Sequence, residues 1–315
     1  MSISRAAFPA ISISPFRILG MCLTEARPSV LAIFFLRFAA GAALDAGLAP
    51  ADPFRLVAGA LVWQCAIFFV YLFNGVMDVR EDRVNGSHRP IARGDLDPAQ
   101  ARVIAWAAAA AALLGALLLG GPMIWLVTAV LVLGYLYSAP PFQLKKWSSA
   151  TVVIGGVSGL LSYCAGYTSC GTGPSGREAM ALPAFAVAAS LWMGLVGSPA
   201  KDLPDIAGDR SAGRTTFAVS RGEWPVRLLL SAVAASVALA FCGVAVLMRV
   251  PLGMAPIAML TGASLLVVVT LTPLSQGSRV RRRLPYRAFM TTQYAVHLAV
   301  LLPLVSQFLL SGRAA

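Results

Sequence analysis

Asn74, Asp78 and Asp82 recur at every fourth position in NGVMDVREDR, where a long apolar run gives way to polar sequence. In an α-helix such residues stack on one face, about 6 Å apart along the axis. A second stretch, KDLPDIAGDR, repeats the interval with Asp205 and Asp209 and places Asp202 about one turn before them. Pro204 lies between, and its missing N–H should kink or restart the helix there and aim the acids off the straight axis. Two such sets of oxygen donors suit a hard divalent cation, because Mg²⁺ takes few protein carboxylates and completes its shell with phosphate oxygens and water. The Arg and Lys residues interleaved with them suit a phosphorylated ligand. One stripe of this kind could simply be a solvated helix end. Two matching stripes are harder to explain that way.

The elements that must position these groups are membrane helices. Of 315 residues, 58% are hydrophobic and 12% charged, and the mean hydropathy is +0.77. Soluble domains are about one-quarter charged, so the chain reads as an integral, multi-pass membrane protein. Apolar stretches of about 18 residues or more recur, each able to cross a hydrocarbon core of about 30 Å. The alternating pattern of a membrane β-barrel is missing from the sequence. The expected fold is an all-α polytopic bundle of about nine transmembrane helices, at roughly 29–47, 54–74, 99–119, 122–139, 150–168, 181–199, 227–248, 252–273 and 288–310.

The long connections, 75–98 and 200–226, follow the second and sixth spans and hold nine of the 13 acids. Long loops in a compact domain are commonly functional. Their matching positions suggest a four-helix quasi-repeat followed by a ninth helix, within one domain covering 1–315. With the N-terminus inside, 20 of the 25 Lys and Arg fall on the inner side, as the positive-inside rule requires. Residues 1–28 read as a retained cytoplasmic or interfacial segment and not as a signal peptide. The expected setting is a bacterial-type cell membrane with the polar loops in the cytoplasm. The net charge of +12 then reports topology, and Arg281–Arg283 are expected to meet anionic lipid. Charges spread over loops with no recognition fold argue against nucleic acid as a partner. The five cysteines show no metal spacing. Cys164 and Cys170 stand near one outer helix end, where packing is the favoured role and a disulfide the alternative. His88 and His297 are too far apart in the chain for a zinc site.

Four motifs in order carry a family resemblance. NGVMDVREDR has the N-x-x-x-D-x-x-x-D pattern of the UbiA superfamily of intramembrane prenyltransferases, with Gly75 where that family usually has Asp. NGSHRPIARG resembles its N-x-x-x-R-P-I-x-x-G, here Asn85, Arg89, Pro90, Ile91 and Gly94. YSAPPFQLKK, from Tyr137 to Lys146, resembles the element after its fourth span. KDLPDIAGDRSAGRTT resembles the second aspartate motif of its homogentisate and chlorophyll-synthase branches. The resemblance implies an isoprenyl diphosphate whose head is bridged by Mg²⁺ on Asn74, Asp78, Asp82, Asp202, Asp205 and Asp209. It implies catalytic roles for Asp78, Asp82, Asp205, Asp209 and Lys145. Substrate contacts are implied for Arg89, Tyr137, Ser138, Lys146 and Lys201.

Arg37 lies about nine residues into the first span, in FFLRFAAGA, where a charge costs about 2.5–3.5 kcal/mol on insertion scales. It either snorkels or faces inward to bind an acidic acceptor or the diphosphate; the inward role is favoured. Phe73, Tyr163, Tyr167 and Trp192 either line a hydrophobic chamber or pack between helices; packing is the favoured role. The expected activity is Mg²⁺-dependent transfer of an isoprenyl group to an aromatic or lipid acceptor. A membrane terpene cyclase without acceptor is the alternative, and a transporter or lipid-binding bundle a third reading.

Overall fold

Inside a bilayer every backbone N–H and C=O must find a partner within the protein, which leaves helices or closed barrels. The computed structural model describes residues 14–46, 52–170 and 178–311, and its elements are helical. The first half runs α1 (Pro15–Glu25), α2 (Pro28–Ala46), α3 (Pro53–Met77), α4 (Val79–Val84), α5 (Pro90–Arg93), α6 (Pro98–Leu119) and α7 (Met123–Ser138). The second continues with α8 (Ser148–Thr168), α9 (Ala181–Leu191), α10 (Ser198–Asp202), α11 (Ile206–Ser211) and α12 (Phe217–Arg221). It ends with α13 (Glu223–Leu247), α14 (Ala255–Leu271), α15 (Arg279–Arg282) and α16 (Leu284–Ser311). Proline opens α1, α2, α3, α5 and α6, where its fixed φ and missing N–H suit the first turn. Asp52 and Asp97 cap α3 and α6 by accepting backbone N–H groups.

Each apolar segment picked out by hydropathy coincides with a helix of the described residues, with α9, a π-helical turn at Trp192–Gly197 and α10 sharing one segment. By length and composition alone, five helices of the described residues can cross a membrane. A sixth crossing is counted if α1 and α2, bent by 74° at their junction, act as one broken span. Two further apolar helices, α7 and α14, are shorter. The all-helical bundle therefore stands, while nine crossings exceed what length and hydropathy establish. Residues 1–13, with Arg5, lie outside the described residues, as do Arg177 and Arg313. Along α1, Phe16, Leu19 and Leu23 are exposed, whereas Cys22 and Glu25 are buried.

Small residues let the helices approach, as is general in membranes. A buried alanine row (Ala101, Ala105, Ala109, Ala112, Ala116) runs along α6, which packs against α3. Between α2 and α8 the approach is closer still. A Cβ on Gly166 would lie 2.0 Å from the Phe38 carbonyl oxygen, and one on Gly41 would lie 2.2 Å from that of Tyr163.

Both acidic loops begin at helix breaks. α3 stops at Met77, and Asp78 (φ −93°, ψ 3°) separates it from α4. In the second half the π turn precedes Pro199, which cannot donate an N–H and crowds the carbonyl four residues back; such turns gather at functional sites. α10 then ends at Asp202 and α11 restarts at Ile206, so the interruption expected around Pro204 is present. The two loops meet where Gly208 N donates to Asn85 Oδ1 at 3.1 Å. A Cβ on Gly208 would lie 2.0 Å from Asn85 Nδ2, so only glycine permits the contact.

Gly166→Ala should destabilise the detergent-solubilised protein by about 1–3 kcal/mol, because backbone must shift to admit the methyl. Gly243→Ala, whose Cβ would meet nothing within 4 Å, should instead stabilise α13 by up to about 1 kcal/mol. Thermal melts of the two variants should move in opposite directions.

Candidate functional site

Asp78 caps the C-terminus of α3, its N–H still bonded to Asn74 O at 2.9 Å, and its carboxylate takes up ion pairs in the loop layer. It pairs with Lys145 and, at 3.2 Å, with Arg214 Nη2. Glu81 on α4 shares both cations, Lys145 at 3.5 Å and Arg214 in a closer pair. The other arm of Arg214, Nη1, reaches Asp209 Oδ1 at 3.1 Å. One guanidinium thus joins the carboxylates of both helix breaks. Its backbone is fixed by the next residue, since Thr215 N donates to Lys146 O at 2.8 Å. The same contact steadies Lys145, one residue before Lys146.

Beside this cluster Asn74 Nδ2 donates to Ser138 Oγ at 3.2 Å, and Lys201 Nζ donates to the Tyr137 hydroxyl at 3.2 Å. Asn74, Tyr137 and Lys201, with Arg27, supply the polar part of a cavity within the bundle. Its remaining wall is mostly apolar, with Phe34, Tyr71, Tyr286 and Phe289 supplying aromatic surface. Of the four aromatics weighed from the sequence, none lines this cavity, and three are buried in packing, the role favoured for them. Phe73 stacks with Phe69 and Tyr135, Tyr163 bonds to His297, Trp192 stacks on Phe289, and Tyr167 is exposed.

Not every expected site residue joins the cluster. The break at Asp78 turns Asp82 away to Arg89, 2.6 Å from it, and Arg89 is held in turn by buried Glu25 at 2.8 Å. Asp205 pairs with Arg279 at 2.6 Å. Lys146 contributes its backbone. Arg37 is fully buried, so it does not snorkel, and its Nη2 donates to Gln293 Oε1 on α16. Arg214, Glu81, Glu25, Arg279 and Gln293 were not legible as site residues; only Arg214 carried a signal, as the second of two arginines in GDRSAGR.

The charges are tightly coupled. Burial alone would raise Asp78, yet Lys145 and Arg214 hold its carboxyl well below the usual range. Burial, with Asp78 beside it, pushes Glu81 up to about 7. Burial also raises Asp209, against the pull of Arg214. Among the described residues no three His, Cys, Asp or Glu side chains converge as a ready metal cage, because Lys and Arg stand between the acids. The donors nevertheless fit Mg²⁺ in kind. Asp209 Oδ2 is buried without a hydrogen-bond partner, and the buried Asp202 carboxylate makes no hydrogen bond or ion pair among the described residues. Such unspent hard oxygens suit that ion.

A helical membrane bundle with a largely apolar cavity, polar at one end beside paired carboxylates and cations, suits an amphiphile with a charged head. Residues 33–305 match the UbiA prenyltransferase family, and the chain belongs to it. It is 31% identical over 203 residues to the probable homogentisate phytyltransferase 2 of Oryza sativa subsp. japonica, covering 60% of this chain and 52% of that protein. It is 31% identical over 183 residues to the homogentisate phytyltransferase of Synechocystis sp., covering 53% and 56%. The chain thus spans about half the length of these curated relatives. A UbiA homolog from Archaeoglobus fulgidus, solved with DMAPP and Mg²⁺, shares the fold with TM-score 0.63 at 18% identity, over 88% of this chain and 99% of that one. The apo UbiA homolog of Aeropyrum pernix K1 gives TM-score 0.65 at 20% identity, over 86% and 97%.

Glu81 supplies a pH signature. Its carboxyl holds a proton more tightly in the fold than in the unfolded chain, so stability must fall as pH rises from the ordinary carboxylate value through about 7. Glu81→Gln, which mimics the protonated form, should flatten that fall. Melting temperatures of both proteins between pH 5 and 8 should diverge toward high pH, with the wild type lower.

Proposed function

We propose that this protein transfers an isoprenyl group from an allylic diphosphate to an aromatic acceptor, releasing pyrophosphate. The observation that carries the reading is the cavity: apolar along most of its wall, and ending at Asn74, Tyr137 and Lys201 beside the Asp78–Lys145–Arg214–Asp209 cluster. An isoprenyl chain suits the wall and a diphosphate suits the end. The named activities of the relatives, homogentisate phytyl transfer among them, support the same class.

Asn74, Asp78, Asp202 and Asp209 would hold Mg²⁺. Asp82 and Asp205 would join them only by exchanging Arg89 and Arg279. When bound, Mg²⁺ neutralises diphosphate charge and so favours its departure. Lys145, Arg214 and Lys201 direct N–H donors to the same place, where charge grows as the allylic C–O bond breaks and its electron pair leaves with pyrophosphate. Tyr71, Tyr286 and Phe289 line the cavity, and aromatic rings there would stabilise an allylic cation. The acceptor ring then gives an electron pair to the allylic carbon and releases a proton to pyrophosphate or solvent. The apolar wall excludes water, which would otherwise capture the cation. We place this end of the bundle in the cytoplasm of a bacterial-type membrane, with the whole chain as one domain, from the basic residues around it.

Purified protein should release pyrophosphate from an allylic diphosphate in the presence of Mg²⁺ and an aromatic acid, with the prenylated product seen by mass spectrometry. A hydrocarbon or alcohol formed from the donor alone would identify a cyclase instead. Asp78→Asn and Asp209→Asn should each lower pyrophosphate release by about 10²–10³-fold, with chelation of the metal acting at least as strongly. Arg281→Ala, exposed and away from the cluster, should retain activity. Normal turnover in both Asp variants would end the assignment.

Orientation is open to direct measurement. In a cysteine-free background, Gly86→Cys and Gly213→Cys lie in the two acidic loops and Gly253→Cys in the turn between α13 and α14. An impermeant maleimide added to intact cells should label only the last. Labelling of the first two would invert the topology.

A further inference from the structure

Arg89 is held between two carboxylates that come from different parts of the chain. Its Nη1 donates to Asp82 Oδ2 at 2.6 Å. Its Nη2 stands 2.8 Å from Glu25 Oε1 and donates to the Glu25 carbonyl oxygen at 2.9 Å. The two carboxylates differ in setting. The Asp82 side chain, on α4, is 15% exposed, whereas that of Glu25, at the end of α1, is fully buried. Glu25 Oε2 also accepts the Ile91 N–H at 2.9 Å, which fixes this carboxylate against the segment that carries Arg89.

The pair with Glu25 is unsaturated. Its 2.8 Å contact is close but lacks hydrogen-bond alignment, so Glu25 Oε1 is buried without a hydrogen bond, and Arg89 Nε is buried without an acceptor. A guanidinium and a carboxylate pair best through two parallel N–H···O bonds, and this pair holds one donor and one acceptor unused. The reserve matters because Asp82 reaches a metal only by giving up Arg89. Removing one partner from a buried ion pair strands the other charge. Asp205 faces the same exchange with less at stake, since its partner Arg279 is 30% exposed and meets water once released. The Arg89 side chain is 11% exposed and needs a second anion.

We propose that Glu25 is a positioning residue that takes over Arg89 when Asp82 turns to Mg²⁺, so that the first motif engages its ligand without stranding a buried cation. The inference rests on the transferase reading above. The unused Nε and Oε1 supply the hydrogen bond that Arg89 loses, and the Ile91 bond keeps the receiving carboxylate in place. Gly75 fits this role. A Cβ there would lie 2.4 Å from Glu25 Oε1 and 2.5 Å from Arg89 Nη2, so a side chain on α3 and the Glu25 carboxylate exclude each other. One buried anion serves Arg89, and here it comes from α1. Glu25 itself touches neither substrate nor metal and acts through Arg89.

Glu25→Gln keeps an acceptor for the Ile91 N–H and removes only the charge. With the allylic donor held constant, the Mg²⁺ concentration for half-maximal pyrophosphate release should rise about ten-fold or more. The melting shift that Mg²⁺ with inorganic pyrophosphate gives the wild type should shrink in the variant. On an Asp82→Asn background, where the Mg²⁺ requirement is already raised, Glu25→Gln should add nothing. Glu25→Ala should behave like Glu25→Gln, and adding Gly75→Asp should recover the Mg²⁺ requirement by returning a carboxylate to Arg89 without refastening α1. A wild-type Mg²⁺ requirement and melting shift in Glu25→Gln would overturn the proposal. So would an equal effect of Glu25→Gln with and without Asp82→Asn, which marks a merely structural tether. If Glu25→Gln does not fold, the Glu25→Ala, Gly75→Asp double variant decides, and failure to approach the wild-type requirement overturns the proposal. No pyrophosphate release by the wild type with any donor and acceptor would instead end the transferase reading. The melting shift in wild type against Glu25→Gln then decides this one, and no shift in the wild type overturns it.

Discussion

The bond from Arg214 to carboxylates of both helix breaks is the constraint on which the site depends. Asp78 and Glu81 belong to the first break and Asp209 to the second. Breaking a buried pair by removing one partner costs about 3–5 kcal/mol, because the other charge is left uncompensated. The two loops therefore cannot separate without a replacement cation. Three carboxylates here face two cations, Lys145 and Arg214, and this adds to burial in pushing Glu81 up to about 7. A diphosphate arriving with divalent cations, as proposed above, would bring both signs of charge, so each carboxylate could exchange partners without being stranded.

The same economy of charge accounts for Gly75, which stands where the family pattern usually has Asp. A Cβ at this position would lie 2.4 Å from Glu25 Oε1 and 2.5 Å from Arg89 Nη2. The buried carboxylate near the first motif is supplied from α1 instead, and Glu25 Oε2 also accepts the Ile91 N–H at 2.9 Å. Arg89 is thereby shared between Glu25 and Asp82, and α1 is fastened to the loop that carries the motif. The elbow between α1 and α2 holds Arg27 at φ +61°, a conformation that costs a non-glycine residue free energy and persists only where its surroundings impose it.

How far the sequence could be read depended on the range of the interactions involved. Helix positions follow from local hydropathy, and the apolar runs located them well. The number of crossings does not, because α7 and α14 are short and α1 joins α2 at an elbow. The acids were legible by type and spacing. Their partners were not, since Arg214 and Gln293 lie 136 and 256 residues from Asp78 and Arg37. Spacing also misled in one respect. A straight helix would put Asp82 on the face of Asp78, but the break between α3 and α4 turns it to Arg89.

The cavity is polar at more than one place. Asn74, Tyr137 and Lys201 stand at one end, and Gln293, whose oxygen accepts from Arg37, lines it as well. Keeping that charge in the membrane interior costs about 2.5–3.5 kcal/mol, and one neutral amide oxygen with two ring faces offsets it only in part. Arg37 is thus kept against the preference of the bilayer. Gly159 leaves room for it, and Gln293 and Tyr163 on other helices receive it. Position 37 is decided by those side chains and not by the apolar run around it.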